Sequence, residues 1–359
     1  MSSRFTSYGD HFRSWLDRVF SDREVLVLAI LLVLGCILIV ILSDILMPVF
    51  AAGVIAYLLD GLIRLLANLR IPRLLALLIV FGLFMALVTF ILIALIPLLY
   101  QQTIQLIEQF PQLFNRAQEA ITKLPELYPH LVTSEQIDEI LSAARTQTLT
   151  YTQDILSMSA ASLIGLISMI VYLILVPLLV FFFLKDKDRI MRWLMHYLPG
   201  DRRLVRQVWR QVDKQIGNYI RGKFLELALL GIASFICFYI LDLNYSLLLA
   251  VAMGLSVLIP YVGATVVTVP VVVVAYMQWG FETQFWYVMV AYAIVQVIDG
   301  TILVPVLFSE VVDLHPVAII VAILFFGGLW GFWGVFFAIP LAILIQAVLS
   351  ANPRIKRTL

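Results

Sequence analysis

Two stretches in the last third decide how this chain is read: residues 244–275, NYSLLLAVAMGLSVLIPYVGATVVTVPVVVVA, and residues 315–346, HPVAIIVAILFFGGLWGFWGVFFAIPLAILIQ. Each opens on a polar residue, runs apolar for about a dozen positions and meets a break containing glycine. In the first the break is Pro260-Tyr261-Val262-Gly263; in the second it is Gly327-Gly328-Leu329-Trp330-Gly331, with Gly334 beyond. Each then reaches a proline, Pro270 or Pro340, seven or six residues past its last break glycine. Apolar stretches this long exceed the ~20 residues that cross ~30 Å of hydrocarbon. Backbone groups freed at a break cannot be satisfied by lipid. Paired segments interrupted by Gly and Pro therefore predict two helical hairpins, at about 245–276 and 316–349, around a polar or ligand-filled space. Two ordinary glycine-packed helix pairs would share this spacing, and re-entrant and fully spanning hairpins both stay open.

The rest of the chain agrees with a membrane setting. Of 359 residues, 62% are hydrophobic and only 13% charged, against about 25% charged in a soluble domain. A water-soluble surface cannot be built from so few charges. The net charge of +1 favours neither nucleic acid nor an acidic partner. The two cysteines, Cys36 and Cys237, sit in apolar runs and suit neither a disulfide framework nor a Cys-x-x-Cys metal site. Five runs have the length of simple spans: 25–43, 45–66, 74–99, 160–184 and 224–241. The first is longer than a signal-peptide core and is expected to be retained. A sixth, 285–308, is interrupted by Asp299, Gly300 and Pro305.

Basic residues set the orientation, because cytoplasmic loops retain them. The segment 185–223 holds 11 Lys and Arg against four acids, whereas 101–159 holds three against seven. The first is expected inside and the second outside, and counting crossings from a cytoplasmic N-terminus gives the same result. The expected order is a cytoplasmic or interfacial segment 1–24, three spans in 25–100, an outward helical insertion 101–159 and a span 160–184. A basic cytoplasmic segment 185–223, a core 224–350 with both hairpins, and a cytoplasmic tail 351–359 complete it. The fold class is an all-α polytopic membrane protein with about six full spans plus two broken hairpins entering from opposite faces.

Three stripes at helical spacing lie outside the spans. Leu106, Phe110, Leu113, Ala117, Ile121 and Leu124 mark the first half of the insertion, which Pro125 and Pro129 separate from a second stripe beginning near Ile137. These faces suit packing on each other or on a neighbouring subunit. Val205, Val208, Trp209, Val212, Ile216 and Tyr219 mark an amphipathic helix in 185–223, and Phe12, Trp15, Leu16, Val19 and Phe20 an interfacial one.

Ionisable residues inside a span are costly and mark function. Asp299, beside Gly300 and one turn beyond Gln296, is the clearest case. Its carboxylate suits a proton, Na⁺ or a polar solute; capping the half-helix after the break is the structural alternative. Glu310, Asp313 and His315 cluster near the cytoplasmic end as a coupling or gating group, or merely a loop. Glu226 reads as an interfacial ion pair with Arg221 or Lys223, and Asp44 and Asp60 as anchors at span ends. The candidate solute or ion site is thus Gln296, Asp299 and Gly300 with the break residues Pro260, Tyr261, Gly263, Gly327, Gly328 and Gly331. His11, His130, His196 and His315 are scattered, so no metal site is expected. No phosphate-binding Gly-rich loop with Lys is present. Neither a cofactor nor enzymatic chemistry is expected.

Seven blocks together resemble one family. They are 177–186 (PLLVFFFLKD), 219–223 (YIRGK), 258–264 (LIPYVGA), 303–307 (LVPVL), 314–316 (LHP), 327–331 (GGLWG) and 338–340 (AIP). In these the chain is similar to the autoinducer-2 exporter (AI-2E) family over nearly its whole length. The resemblance implies a bacterial inner-membrane transporter or permease of a small solute, in a family that includes small-molecule exporters and Na⁺/H⁺ antiporters, assembled in the bilayer as a homo-oligomer such as a pentamer; H⁺ or Na⁺ coupling at Asp299 is a subordinate expectation. The competing expectation is a membrane scaffold or assembly factor that acts through 101–159 and moves nothing.

Overall fold

The computed structural model describes residues 42–122, 163–196, 203–260, 262–308 and 315–350, and every regular element among them is helical. Helix α1 is Ser43–Asn68, and α2 is Arg73–Phe90. A π-helical turn, Ile91–Leu95, carries α2 directly into α3, Ile96–Thr122. Helices α4, Leu163–Lys185, and α5, Lys187–His196, meet at a bend of 80° between their described spans. Helix α6 runs Arg203–Ile240, and α7, Ser246–Ser256, and α8, Val262–Trp279, come after it. Helix α9, Thr283–Ile298, continues through a second π turn, Asp299–Leu303, into α10, Val304–Phe308. Helix α11 is Pro316–Ser350.

Six of these stretches are long and apolar enough to cross a membrane, and the bent α4–α5 pair is a seventh candidate. The chain is a polytopic helical membrane protein. The expected span 25–43, the insertion beyond residue 122 and the interfacial stripe near the N-terminus lie outside the described residues. Helix α8 shows why setting overrides local preference. Its run Thr265-Val-Val-Thr-Val-Pro-Val-Val-Val-Val274 would suit a strand in water. In hydrocarbon a lone segment must satisfy its backbone internally, and only a helix does so.

Two expected boundaries vanish into continuous helices. The third span passes into the insertion without a break, and Gln102 at that junction accepts the backbone N–H of Leu248 at 2.9 Å, fastening α3 to the start of α7. The basic segment and the span after residue 223 form one helix, α6, of 38 residues, about 57 Å long at ~1.5 Å per residue.

Among the described residues, shared apolar cores hold the helices together. Ala52, Ala56, Ala76, Leu77 and Val180 join α1, α2 and α4. Leu230, Met253, Val271 and Val288 join α6 to α7, α8 and α9. Val54, Ile220 and Ile343 bring α1, α6 and α11 together between them. Small residues permit the closest approaches. A Cβ on Gly254 would stand 2.8 Å from the Leu227 carbonyl oxygen, and one on Gly217 would collide with the Tyr57 ring.

Both broken stretches fold back on themselves. In the first, α7 and α8 meet at a turn through Val257–Pro260, where the N–H of Gly263 donates to the Ile259 carbonyl at 2.9 Å. A Cβ on Gly263 would overlap the Ser256 carbonyl, so the arms touch backbone to backbone there. In the second, Gly331 adopts φ 59° and ψ −136°, which a side chain resists, and splits α11 into arms 316–330 and 332–350. A Cβ on Gly334 would overlap the Phe326 carbonyl, eight residues back. Ala322, Phe326 and Ala338 bury together, a contact a straight helix would forbid. The same device, a glycine after the turn pressed on the carbonyl before it, closes both hairpins.

Candidate functional site

Four elements converge on one cavity of 380 Å³, within the ~300–1,000 Å³ range of small-molecule sites. Helix α6 contributes Tyr219, Lys223, Glu226 and Leu230, whose spacing keeps them on one face. The first hairpin contributes its turn: Ser256, Val257, Ile259 and Pro260, with Ala264. The α9–α10 helix contributes Gln296, Asp299, Gly300, Val304 and Phe308, and the two arms of the second hairpin contribute Ile319 and Ile339. The π turn matters to this alignment. In a regular α-helix a five-residue step would rotate Val304 about 140° away from Asp299. The wider turn lets both line the same space, and π turns recur at functional sites.

The charges are unevenly matched. Lys223 Nζ donates to Glu226 Oε2 at 2.8 Å, and both side chains are more than nine-tenths buried. The ammonium also lies 5.3 Å from the Phe308 ring centre, and Gly222 gives that ring its room. Asp299 has no such mate: its Oδ1 is buried without a hydrogen-bond partner. Lys223 reaches it only electrostatically. Gln296 Nε2 donates to the Tyr292 hydroxyl at 2.8 Å, and that hydroxyl shares a 2.6 Å bond with Thr268 Oγ1. A polar thread therefore ties the Asp299 helix to the second arm of the first hairpin.

Of the residues singled out from sequence, Pro260, Gln296, Asp299 and Gly300 meet at the cavity. Gly263 shapes the turn beside it. Gly327, Gly328 and Gly331 do not line it; they form the fold of the second hairpin, where a Cβ on Gly327 would press on Val335. His315 Nδ1 accepts the N–H of Val317 at 3.3 Å and so serves the first turn of α11. Tyr261, Glu310 and Asp313 lie outside the described residues. The interruption expected at Asp299 and Gly300 is a widened turn in a continuous helix, because a π turn still satisfies backbone groups that lipid cannot. Tyr219, Lys223 and Glu226 were not expected at the cavity. Their i, i+4, i+7 spacing is the signal that places them on one face, but the pair reads as an interfacial bridge until burial is known.

A second polar cluster binds α1 to its neighbours. Asp60 accepts from Arg64 Nε and Lys187 Nζ, each at 2.8 Å, so the α4–α5 bend is anchored on α1. Arg73 donates to Asp188 at 2.6 Å, and Tyr57 donates to the Asp213 carbonyl at 3.1 Å. The Arg73 guanidinium, by hydrogen bond and charge, holds the Asp188 carboxyl below the usual carboxylate range.

Six helices of spanning length around a partly charged interior cavity define a polytopic helical membrane protein. The chain belongs to the AI-2E family of transporters, whose sequence profile matches residues 26–354. It is 47% identical over 339 residues to “Putative permease PerM” of Escherichia coli strain K12, covering 94% of this chain and 96% of that protein. It is 28% identical over 315 residues to “Putative transport protein YueF” of Bacillus subtilis strain 168, covering 86% and 84%. A “Putative transport protein” of Thermotoga maritima is 23% identical over 330 residues, covering 92% and 94%. Family membership points to transport rather than to enzymatic chemistry.

Proposed function

We propose that this chain is a secondary transporter that moves a small solute across a bacterial inner membrane, with the cavity between the two hairpins as its site. The supporting observation is the unmatched Asp299. A carboxylate with a buried, unbonded oxygen in a low-dielectric space is stable only when a proton or a cation joins it. Asp299 then couples movement to H⁺ or Na⁺, and the hairpins rock about α6 to open the cavity to one face at a time. The bias of basic residues toward 185–223 favours cytoplasmic termini. Assembly as a homo-oligomer is consistent with the apolar outer faces of α2 and α9, where Leu83 is 66% and Val297 60% exposed.

Sided vesicles test this reading. With Cys36 and Cys237 replaced, a Ser256→Cys probe on the cavity wall is labelled from either face by an impermeant reagent. The expected result is labelling that shifts from one face to the other as the medium is acidified, and a loss of that shift in Asp299→Asn. Equal labelling from both faces at every pH would indicate a channel and remove alternating access.

A further inference from the structure

The lining of the cavity carries three charges that do not cancel. Lys223 is matched by Glu226 at 2.8 Å, which leaves Asp299 as one net negative charge. Every other described lining residue is neutral, and most are aliphatic. An anionic solute would find the one ammonium among the described lining residues already engaged. A neutral solute would leave Asp299 to be compensated by a proton alone and would make no use of its charge. A bare alkali ion needs a shell of oxygens, which Asp299, Gln296 and Ser256 provide only sparsely among aliphatic walls.

An organic ammonium needs less. Two or three acceptors suffice, and an aromatic face can hold the rest of its charge. The molecule already contains the precedent, since the Lys223 ammonium lies 5.3 Å over Phe308, with Tyr219 packed 5.8 Å from the same ring. Gln296 is oriented for this: its Nε2 is held by Tyr292, which leaves its carbonyl oxygen as a further acceptor on the same wall as Asp299. The aliphatic residues opposite, Val257, Ile319 and Ile339, suit a hydrocarbon body.

We infer that the solute is an organic monocation, a protonated amine on an apolar body, held by Asp299 and the Gln296 carbonyl and exchanged for a proton; this rests on the transport reading above. One carboxylate takes a proton or an ammonium but not both, so occupancy by one expels the other. The ionisable groups facing Asp299 come from α6 alone among the described residues: Lys223, Glu226 and the Tyr219 phenol. Neither hairpin places a charged described residue on the lining.

Calorimetry on the purified full-length chain in detergent tests the inference with three probes of one shape: phenethylammonium, phenethyl alcohol and hydrocinnamate. Saturable binding is expected for the ammonium alone. It should weaken on acidification, by up to about tenfold per unit, and release up to about one proton per ligand over the pH range in which it weakens. Asp299→Asn should abolish both the binding and its pH dependence. Proton release by the wild-type protein keeps the test decisive if that variant folds poorly. Tighter binding of hydrocinnamate, ammonium binding without proton release, or saturable Na⁺ binding with none for the ammonium would each overturn it. Ammonium binding without any pH-driven change at Ser256→Cys would keep the site and remove alternating access. The accessibility change without ammonium binding would keep transport and remove this solute class.

Discussion

Lys223 and Glu226, one turn apart on α6, form a 2.8 Å ion pair inside the cavity wall rather than at its rim, with side chains 9% and 3% exposed. Burial of both partners makes the pair sensitive to being halved. Removing one charge strands the other in a low-dielectric setting, at a cost of about 3–5 kcal/mol, whereas replacing both with apolar residues of similar volume is often neutral. Glu226→Ala and Lys223→Met are each expected to lower unfolding stability by about that amount. The double variant Lys223→Met, Glu226→Leu should regain most of it, as read by denaturant unfolding in detergent.

The hairpin closures make a sharper steric prediction. Gly263→Ala and Gly334→Ala place a methyl on the carbonyls of Ser256 and Phe326. Each should cost about 1–3 kcal/mol by forced overpacking. Gly53→Ala and Gly82→Ala, where a Cβ meets nothing within 4 Å, should be neutral or stabilising by about 0.5–1 kcal/mol. Thermal unfolding of the four variants separates the two groups.

At the α4–α5 bend the prediction concerns pH. The Asp188 carboxyl is depressed by Arg73, chiefly through their hydrogen bond. A depressed acid contributes its stabilisation above its unfolded value, ~3.9, and loses it as pH falls through the lower folded value. Spin labels on α2 and α5 should therefore keep their separation from neutral to mildly acidic pH and part only below about 4. Asp188→Asn should part them at neutral pH. Separation in the wild type at mildly acidic pH would contradict this account.

The second π turn yields a test by deletion. Removing Gly300 converts Asp299–Leu303 to regular α geometry and places Val304 four residues after Asp299, about 40° away around the axis, instead of the ~140° of a five-residue step. Val304 and Phe308 should therefore stay at the cavity, and Lys223 should keep its aromatic contact. The helix itself should persist. Unchanged circular dichroism with retained phenethylammonium binding is the expected pair of results; lost binding with an intact helix would contradict this account of the turn.

How much of this was legible in the residues depends on what each feature needs to be seen. Asp299 stood out because a lone carboxylate in an apolar run has few structural reasons to be there. Pro260 and Gly263 stood out because a hairpin at bilayer depth requires a break of that composition. The π turns have no residue signature, so the helix through Asp299 looked interrupted when it is only widened. Gly327, Gly328 and Gly331 marked a fold in the chain correctly but not a cavity wall, because small residues that permit a sharp turn leave no side chain to line anything. Glu226 and Lys223 form the expected ion pair, but its place on the cavity wall was not legible, for a different reason. Their proximity comes from i, i+3 spacing, but their burial depends on Phe308 and the second hairpin, which are distant in sequence. The division at residue 223 tracked the change in composition, and the helix runs straight through it because composition sets what surrounds a helix rather than where it stops.

That last feature has a mechanical meaning. Helix α6 is continuous from Arg203 to Ile240, with Asp213 and Arg221 touching Tyr57 of α1 along its length and Leu230 on the cavity wall farther along. One unbroken backbone therefore carries both the grip on α1 and the Lys223–Glu226 pair, so a shift of α6 against α1 is felt at the cavity wall without any hinge between them.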